Sequence, residues 1–190
     1  MNRLGIGIAL FSLVHLIPAV AARVRGSLIR GIGENPYKAV FSLISLAALF
    51  LIITGWRSAS AEPLYSPPQW GRYVALLLVW AGFVLFPAPY LKSNVQRLVR
   101  HPQLTGVTLW GLGHLLANGE SRSVLLFGGF AAWAVLERLA LNHRDGPRPP
   151  PAPVGRDADL KLLAVGTVAY LALLFLHAWL FGVPPFPAAA

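Results

Sequence analysis

Residues Tyr37 to Trp56 read YKAVFSLISLAALFLIITGW, a run broken by a single charge at Lys38. A helix that crosses a bilayer needs about 20 mostly apolar residues, and this stretch supplies them. Working outward, comparable runs extend from Leu4 to Ala22, Tyr73 to Leu91, Ser123 to Leu141 and Leu160 to Val183. A shorter run, Leu104 to Asn118, contains a histidine. The pattern predicts an all-α polytopic membrane bundle of about six transmembrane helices, forming a single domain over residues 1–190. Asp145–Asp159, DGPRPPPAPVGRDAD, is too polar and proline-rich for helix or core. It reads as an exposed polyproline-like linker on the cytoplasmic side. Pro63–Trp70 reads as a short external loop.

Composition points the same way. Of 190 residues, 56% are hydrophobic and only 12% charged, and mean hydropathy is +0.60. Soluble domains carry roughly 25% charged residues, so a typical cytosolic enzyme is excluded. The scarcity of polar low-complexity sequence excludes a disordered or fibrous protein. No cysteine is present, which removes disulfides, zinc knuckles, thiolate-bound haem and cysteine nucleophiles.

The net charge of +9 is explained by position. With the N-terminus outside, the inside segments hold Arg23, Arg25, Arg30, Lys38, Lys92, Arg97, Arg100, Arg138, Arg144, Arg148, Arg156 and Lys161. The outside segments hold Arg3, Arg57, Arg72 and Arg122. Twelve against four accounts for all 16 basic residues. By the positive-inside rule, both termini face the periplasm of a bacterial inner membrane. The basic excess is then a topology signal and not a nucleic-acid footprint. The first run also has signal-peptide features, a basic residue followed by apolar and small ones. Its length and its own His15 and Pro18 favour a retained span.

Ionisable residues inside spans are costly, so each is a functional candidate. His15, His114 and His177 fall in the first, fourth and sixth runs, while His101 and His143 fall near membrane boundaries. Glu137 reads as a boundary residue paired with a nearby base. With no cysteine and methionine only at position 1, a haem would take its axial ligands from histidine or a weaker oxygen donor. At about 1.5 Å per residue, His15 lies on the inner side of the membrane centre and His114 on the outer side. A haem standing edge-on would bridge that offset; His177 is closer in depth to His114. Gly111 and Gly113 flank His114, which leaves room either for a flat ligand or for close helix packing. Together with Asn118 and Arg100 they complete the candidate cofactor-binding set. Pro18 removes a backbone hydrogen bond and is placed to bend the first span just beyond His15.

Arg100-His101-Pro102, Gly106, Trp110, Gly113-His114-Leu115-Leu116-Ala117-Asn118-Gly119 and Leu126-Phe127-Gly128-Gly129-Phe130 resemble the signature of the NnrU membrane-protein family. The opening His15-Leu16-Ile17-Pro18 is similar to that family's N-terminus, and the resemblance spans nearly the whole chain. It implies an integral inner-membrane protein linked by name to nitrite and nitric oxide reduction. It also implies kinship with 15-cis-ζ-carotene isomerase, in which histidine-held haem b drives a redox-dependent cis–trans isomerisation of a polyene. Carried over, His114 is the first candidate iron ligand, His15 its partner, and His101 a further functional histidine; His177 lies outside the motif and is an alternative ligand on burial alone. The implied partners are membrane lipid, a hydrophobic small-molecule substrate and a redox partner.

Two other functions compete. One is a non-catalytic haem-binding sensor or accessory subunit of denitrification. The other is a membrane methyltransferase using S-adenosylmethionine, whose Arg-His-Pro motif this chain shares; the paired glutamates expected further on are absent. A transporter is disfavoured, since the halves show no inverted repeat and few buried charges.

Overall fold

A computed structural model of the protein describes residues 1–186. Residues 187–190, the end of the expected single domain, lie outside the described residues. Eight helices form the described part: α1 (Asn2–Val20), α2 (Ala22–Ile32), α3 (Glu34–Ser58), α4 (Gly71–Leu85), α5 (Val95–Leu98), α6 (Pro102–Ala117), α7 (Ser121–Asp145) and α8 (Arg156–Phe181). An isolated bridge between Pro63 and Glu120 is the one β-type pairing among the described residues.

All six expected apolar runs are helical. Four of the helices, α1, α3, α7 and α8, are long and apolar enough to cross a membrane. The other two are shorter: α4 has 15 residues and α6 has 16. At 1.5 Å per residue each covers roughly 22–24 Å, against a hydrocarbon core of about 30 Å. The third run was expected to continue to Leu91, but α4 stops at Leu85. Pro87 and Pro89 explain this, because neither can donate a helix hydrogen bond and each restricts the residue before it. Pro102 has the opposite effect on α6, where it occupies the first turn and needs no donor.

These six helices pack in the order α3, α1, α7, α6, α4, α8, and glycine stands at every seam. A Cβ on Gly7 would lie 2.9 Å from the Ala48 carbonyl oxygen of α3, and one on Gly129 would lie 2.9 Å from Ile8 of α1. One on Gly111 would lie 2.6 Å from the Phe127 oxygen of α7. Gly82 and Gly106 face each other so closely that a Cβ on either meets the other's carbonyl oxygen, at 2.8 and 2.7 Å. Gly166 brings α8 against Val84 of α4 in the same way. Lipid is as apolar as leucine, so such close backbone contact, rather than water exclusion, holds membrane helices together. Leu4 and Leu162 are fully buried at the first and last of these seams.

This packing sorts the chain into two ends. Met1, Ser58, Gly71, Ala117 and Ser121 gather at one end, where the backbone N–H groups of Leu64 and Tyr65 donate to the Gly119 carbonyl. Val20, α2, Glu34, the 86–101 segment, Asp145 and Arg156 gather at the other. The twelve basic residues expected inside belong to this second end, called here the basic end. It includes a helix where the sequence suggested only a loop. α2 is too short to cross, and Val24, Leu28 and Ile32 form an exposed apolar stripe along it. Arg25 lies over the Tyr37 ring, 5.6 Å from its centroid. An amphipathic basic helix so placed suits the plane of the membrane interface.

The irregular linker spans residues 146–155, shorter than the expected 145–159, because helix occupies both flanks. Asp157 and Asp159 lie in the first turn of α8, where the helix dipole favours negative charge. The linker is also tied down. The Asn94 side chain donates to the Val154 carbonyl (2.9 Å) and accepts from the Val154 N–H (3.0 Å), while also donating to Asp159 (2.8 Å).

Candidate functional site

Toward the basic end, α1, α6, α7 and the 86–101 segment enclose a cleft of about 750 Å³. That is within the 300–1,000 Å³ range of small-molecule and cofactor sites. Its walls are aromatic: Phe11 from α1, Phe41 from α3, Trp110 from α6, and Phe130 and Trp133 from α7. Its polar residues are His15, Gln96, Arg100, His101, Gln103, Glu137 and Arg148.

His15 is held in a fixed orientation. Its Nδ1–H donates to the Phe11 carbonyl one turn earlier, at 2.8 Å. A carbonyl only accepts, so the proton must sit on Nδ1, and Nε2 keeps its lone pair. The ring stacks on Phe11 at 3.9 Å and meets Phe41 and Trp133 edge-on at 4.9 and 5.6 Å. An imidazole anchored by one nitrogen with the other free is the usual condition of a metal-ligating histidine.

His101 shares the cleft but is used differently. Its Nε2–H donates to Asn142 Oδ1 at 3.1 Å, which joins the start of α6 to the end of α7. Desolvation pushes this imidazole below its ordinary pKa; the Asn142 hydrogen bond opposes that shift, and the charges of Arg100 and Arg148 reinforce it. Arg100 Nη1 donates to the Gly146 carbonyl at 2.7 Å, and Arg144 Nη1 donates to the Pro18 carbonyl at 2.7 Å. The Arg-His pair of the motif therefore closes the basic end of the bundle as well as lining the cleft.

His114 lies elsewhere. Its Nδ1–H donates to the Trp110 carbonyl at 2.9 Å, leaving Nε2 free as in His15, but its ring stacks on Phe127 at 4.2 Å and does not line the cleft. His15 is level with Trp133 and His114 with Phe127, six residues earlier on α7 or roughly 9 Å along the axis. Between the two imidazoles run the rings of Phe11, Phe130 and Trp110, with centroid steps of 5.3 Å from Phe11 to Phe130 and 6.1 Å from Phe130 to Trp110. The structure therefore brings His15, His101 and Arg100 to one cleft and leaves His114 beyond an aromatic partition. His177 is partly exposed on α8, with Nδ1 2.7 Å from the Val183 carbonyl. His143 is exposed near the end of α7.

The space beside the two glycines that flank His114 is filled by protein. Gly111 admits the Phe127 carbonyl of α7, and Gly113 admits Val79 and the Ala75 carbonyl of α4. Of the two explanations open for these glycines, helix packing is the one the structure displays. Asn118 caps α6, donating through Nδ2 to the His114 carbonyl at 2.9 Å, and its own carbonyl accepts from Tyr65 Oη at 2.9 Å. Tyr65 Oη also contacts the Leu115 carbonyl. Residues 124–128 form a π-helical turn in α7, a local widening often found at functional sites, and it carries Phe127.

Glu137 departs from the expected boundary pair. It forms no ion pair among the described residues, and its Oε2 is buried on the cleft wall. The buried indole N–H of Trp133, one turn away, is the polar group that faces this carboxylate. Sequence reading missed Glu137's place in the cleft, along with Trp133, Phe130 and Arg148. A signal existed: Phe130, Trp133, Glu137 and Leu141 recur at helical spacing on one face of α7.

Compared with known proteins, residues 3–185 match the family model described as NnrU protein. No curated protein and no solved structure matches the chain.

Proposed function

The chain belongs to the NnrU family, and on that premise we propose that it is a haem b-binding membrane protein whose cofactor occupies the cleft at the basic end. One observation carries the reading. His15 lines the cleft with Nδ1 anchored on the Phe11 carbonyl and Nε2 free, whereas His114, anchored the same way, does not line it; His101 is tied through Nε2 to Asn142 and keeps only Nδ1. His15 is therefore the residue that would hold the iron, ahead of His114, which the motif alone would rank first.

The remaining residues suit a flat, largely apolar ligand with acidic edges. Phe11, Trp110, Phe130 and Trp133 offer ring faces and edges and exclude water. Arg100 and Arg148 supply positive charge. Glu137 is a buried acid able to hold or release a proton inside the cleft. When bound, haem would supply reversible one-electron chemistry, and the family resemblance points to redox-dependent isomerisation of a hydrophobic polyene. The protein's own contribution is a fixed ligand orientation and an aromatic-walled cleft.

The test is optical. Protein purified in mild detergent from haem-supplemented cells should show a Soret band that moves on reduction. A colourless preparation after supplementation defeats the reading.

A further inference from the structure

The guanidinium of Arg100 is only partly used. Nη1 donates to the Gly146 carbonyl at 2.7 Å, but Nε and Nη2 are both buried without a hydrogen-bond partner among the described residues. The nearest carboxylate does not satisfy them. Asp145 is held by Arg144 Nε at 2.6 Å and stops 3.8 Å from Arg100 Nη2. Nε and Nη2 form one edge of the guanidinium plane, and two parallel N–H groups on that edge match the two oxygens of a carboxylate or phosphate. Buried donors left unpaired are costly, so an edge of this kind calls for an acceptor.

The surroundings give that acceptor a sign and a body. Arg148 lines the same cleft as Arg100, and the charges of both reach His101. Asp145 offsets part of this positive charge but is shared between two arginines. The carboxylate that lines the cleft, Glu137, lies eight residues before Asp145 on α7, roughly 12 Å deeper by helical rise. An anion is therefore favoured at the mouth and disfavoured inside, where aromatic walls await an apolar body.

We infer that the Nε/Nη2 edge of Arg100, supported by Arg148, is an oxoanion receptor for the acidic head of an amphiphile whose apolar body lies in the cleft. The inference rests on the reading of this cleft as the ligand site. It adds a specificity: a pure hydrocarbon leaves Arg100 unsatisfied, whereas an acid with an apolar body satisfies it. Two sources share this chemistry, a haem propionate and the head group of a fatty acid.

The experiment compares acids with their esters. Full-length protein in nanodiscs of zwitterionic lipid is titrated with haem b against its dimethyl ester, and with oleate against methyl oleate. The acid of at least one pair should bind about 10- to 100-fold more tightly than its ester, the range expected for a charge-assisted pair. Arg100→Gln should abolish that preference. Arg100→Lys should keep part of it, since lysine offers the charge without the two-pronged geometry. Melting and size-exclusion profiles of the lysine variant report on folding. The pair that shows the preference identifies the source of the acid. If only the haem reading fails, the haem pair gives no spectral binding while the oleate pair keeps its Arg100-dependent preference. Equal binding of acid and ester in both pairs, or a preference unchanged in Arg100→Gln, overturns the inference.

Discussion

His15 Nδ1 donates to the Phe11 carbonyl at 2.8 Å while the two rings stack at 3.9 Å, so one residue sets both the tautomer and the plane of the imidazole. Phe11→Leu separates these effects, because the carbonyl bond survives and the stacking partner is lost. Stacked aromatic pairs contribute about 0.5–1.5 kcal/mol. Haem affinity, read by titration of the Soret band, should therefore fall about 2- to 12-fold while the protein remains folded.

The seam between α4 and α6 makes a sharper stability prediction. Gly82 and Gly106 each leave less than 3 Å for a Cβ before the other's carbonyl oxygen. Gly106→Val should destabilise the bundle by at least the 1–3 kcal/mol typical of overpacking, lowering the melting temperature in detergent. Gly31→Ala is the control, since nothing lies within 4 Å of a Cβ there. It sits in α2 and should be neutral or stabilising by up to about 1 kcal/mol.

Orientation can be read chemically because the chain contains no cysteine. Single cysteines at Glu62 and Pro151 report on opposite ends of the bundle. If the basic end is cytoplasmic, Glu62→Cys reacts with a membrane-impermeant maleimide in intact spheroplasts, and Pro151→Cys reacts only after permeabilisation. The reverse pattern would invert the topology.

His101 supplies a pH dependence. Desolvation lowers its pKa in the folded protein, so the unfolded chain binds the proton more readily. Its contribution to stability is complete above the ordinary histidine value of about 6.5 and is lost as pH falls from there through the folded value. The effect should be small because the imidazole is partly exposed. Melting temperatures measured from pH 7.5 to 5 should decline more for wild type than for His101→Gln.

Long apolar runs made the spanning helices legible in the sequence, and the arginine distribution made the two ends legible. α2 was hidden because Arg23, Arg25 and Arg30 interrupt its apolar stripe, so it looked like a charged loop. The early stop of α4 was present in Pro87 and Pro89, but hydropathy alone runs past them. At the site, His15, His101 and Arg100 stood out as ionisable residues near apolar runs. Their shared cleft did not, because α1, α6 and α7 meet only through tertiary packing. The same limit applied to Glu137, whose neighbour Arg138 suggested a pair that helix geometry does not favour, since adjacent residues point to different faces.

The most direct measurement compares His15→Ala with His114→Ala, each purified in parallel with wild type from haem-supplemented cells. The account predicts a Soret band in wild type and in His114→Ala, and its loss in His15→Ala, with all three eluting as folded protein. A band that persists in His15→Ala and disappears in His114→Ala would contradict it and move the haem across the aromatic partition to the other end of the bundle.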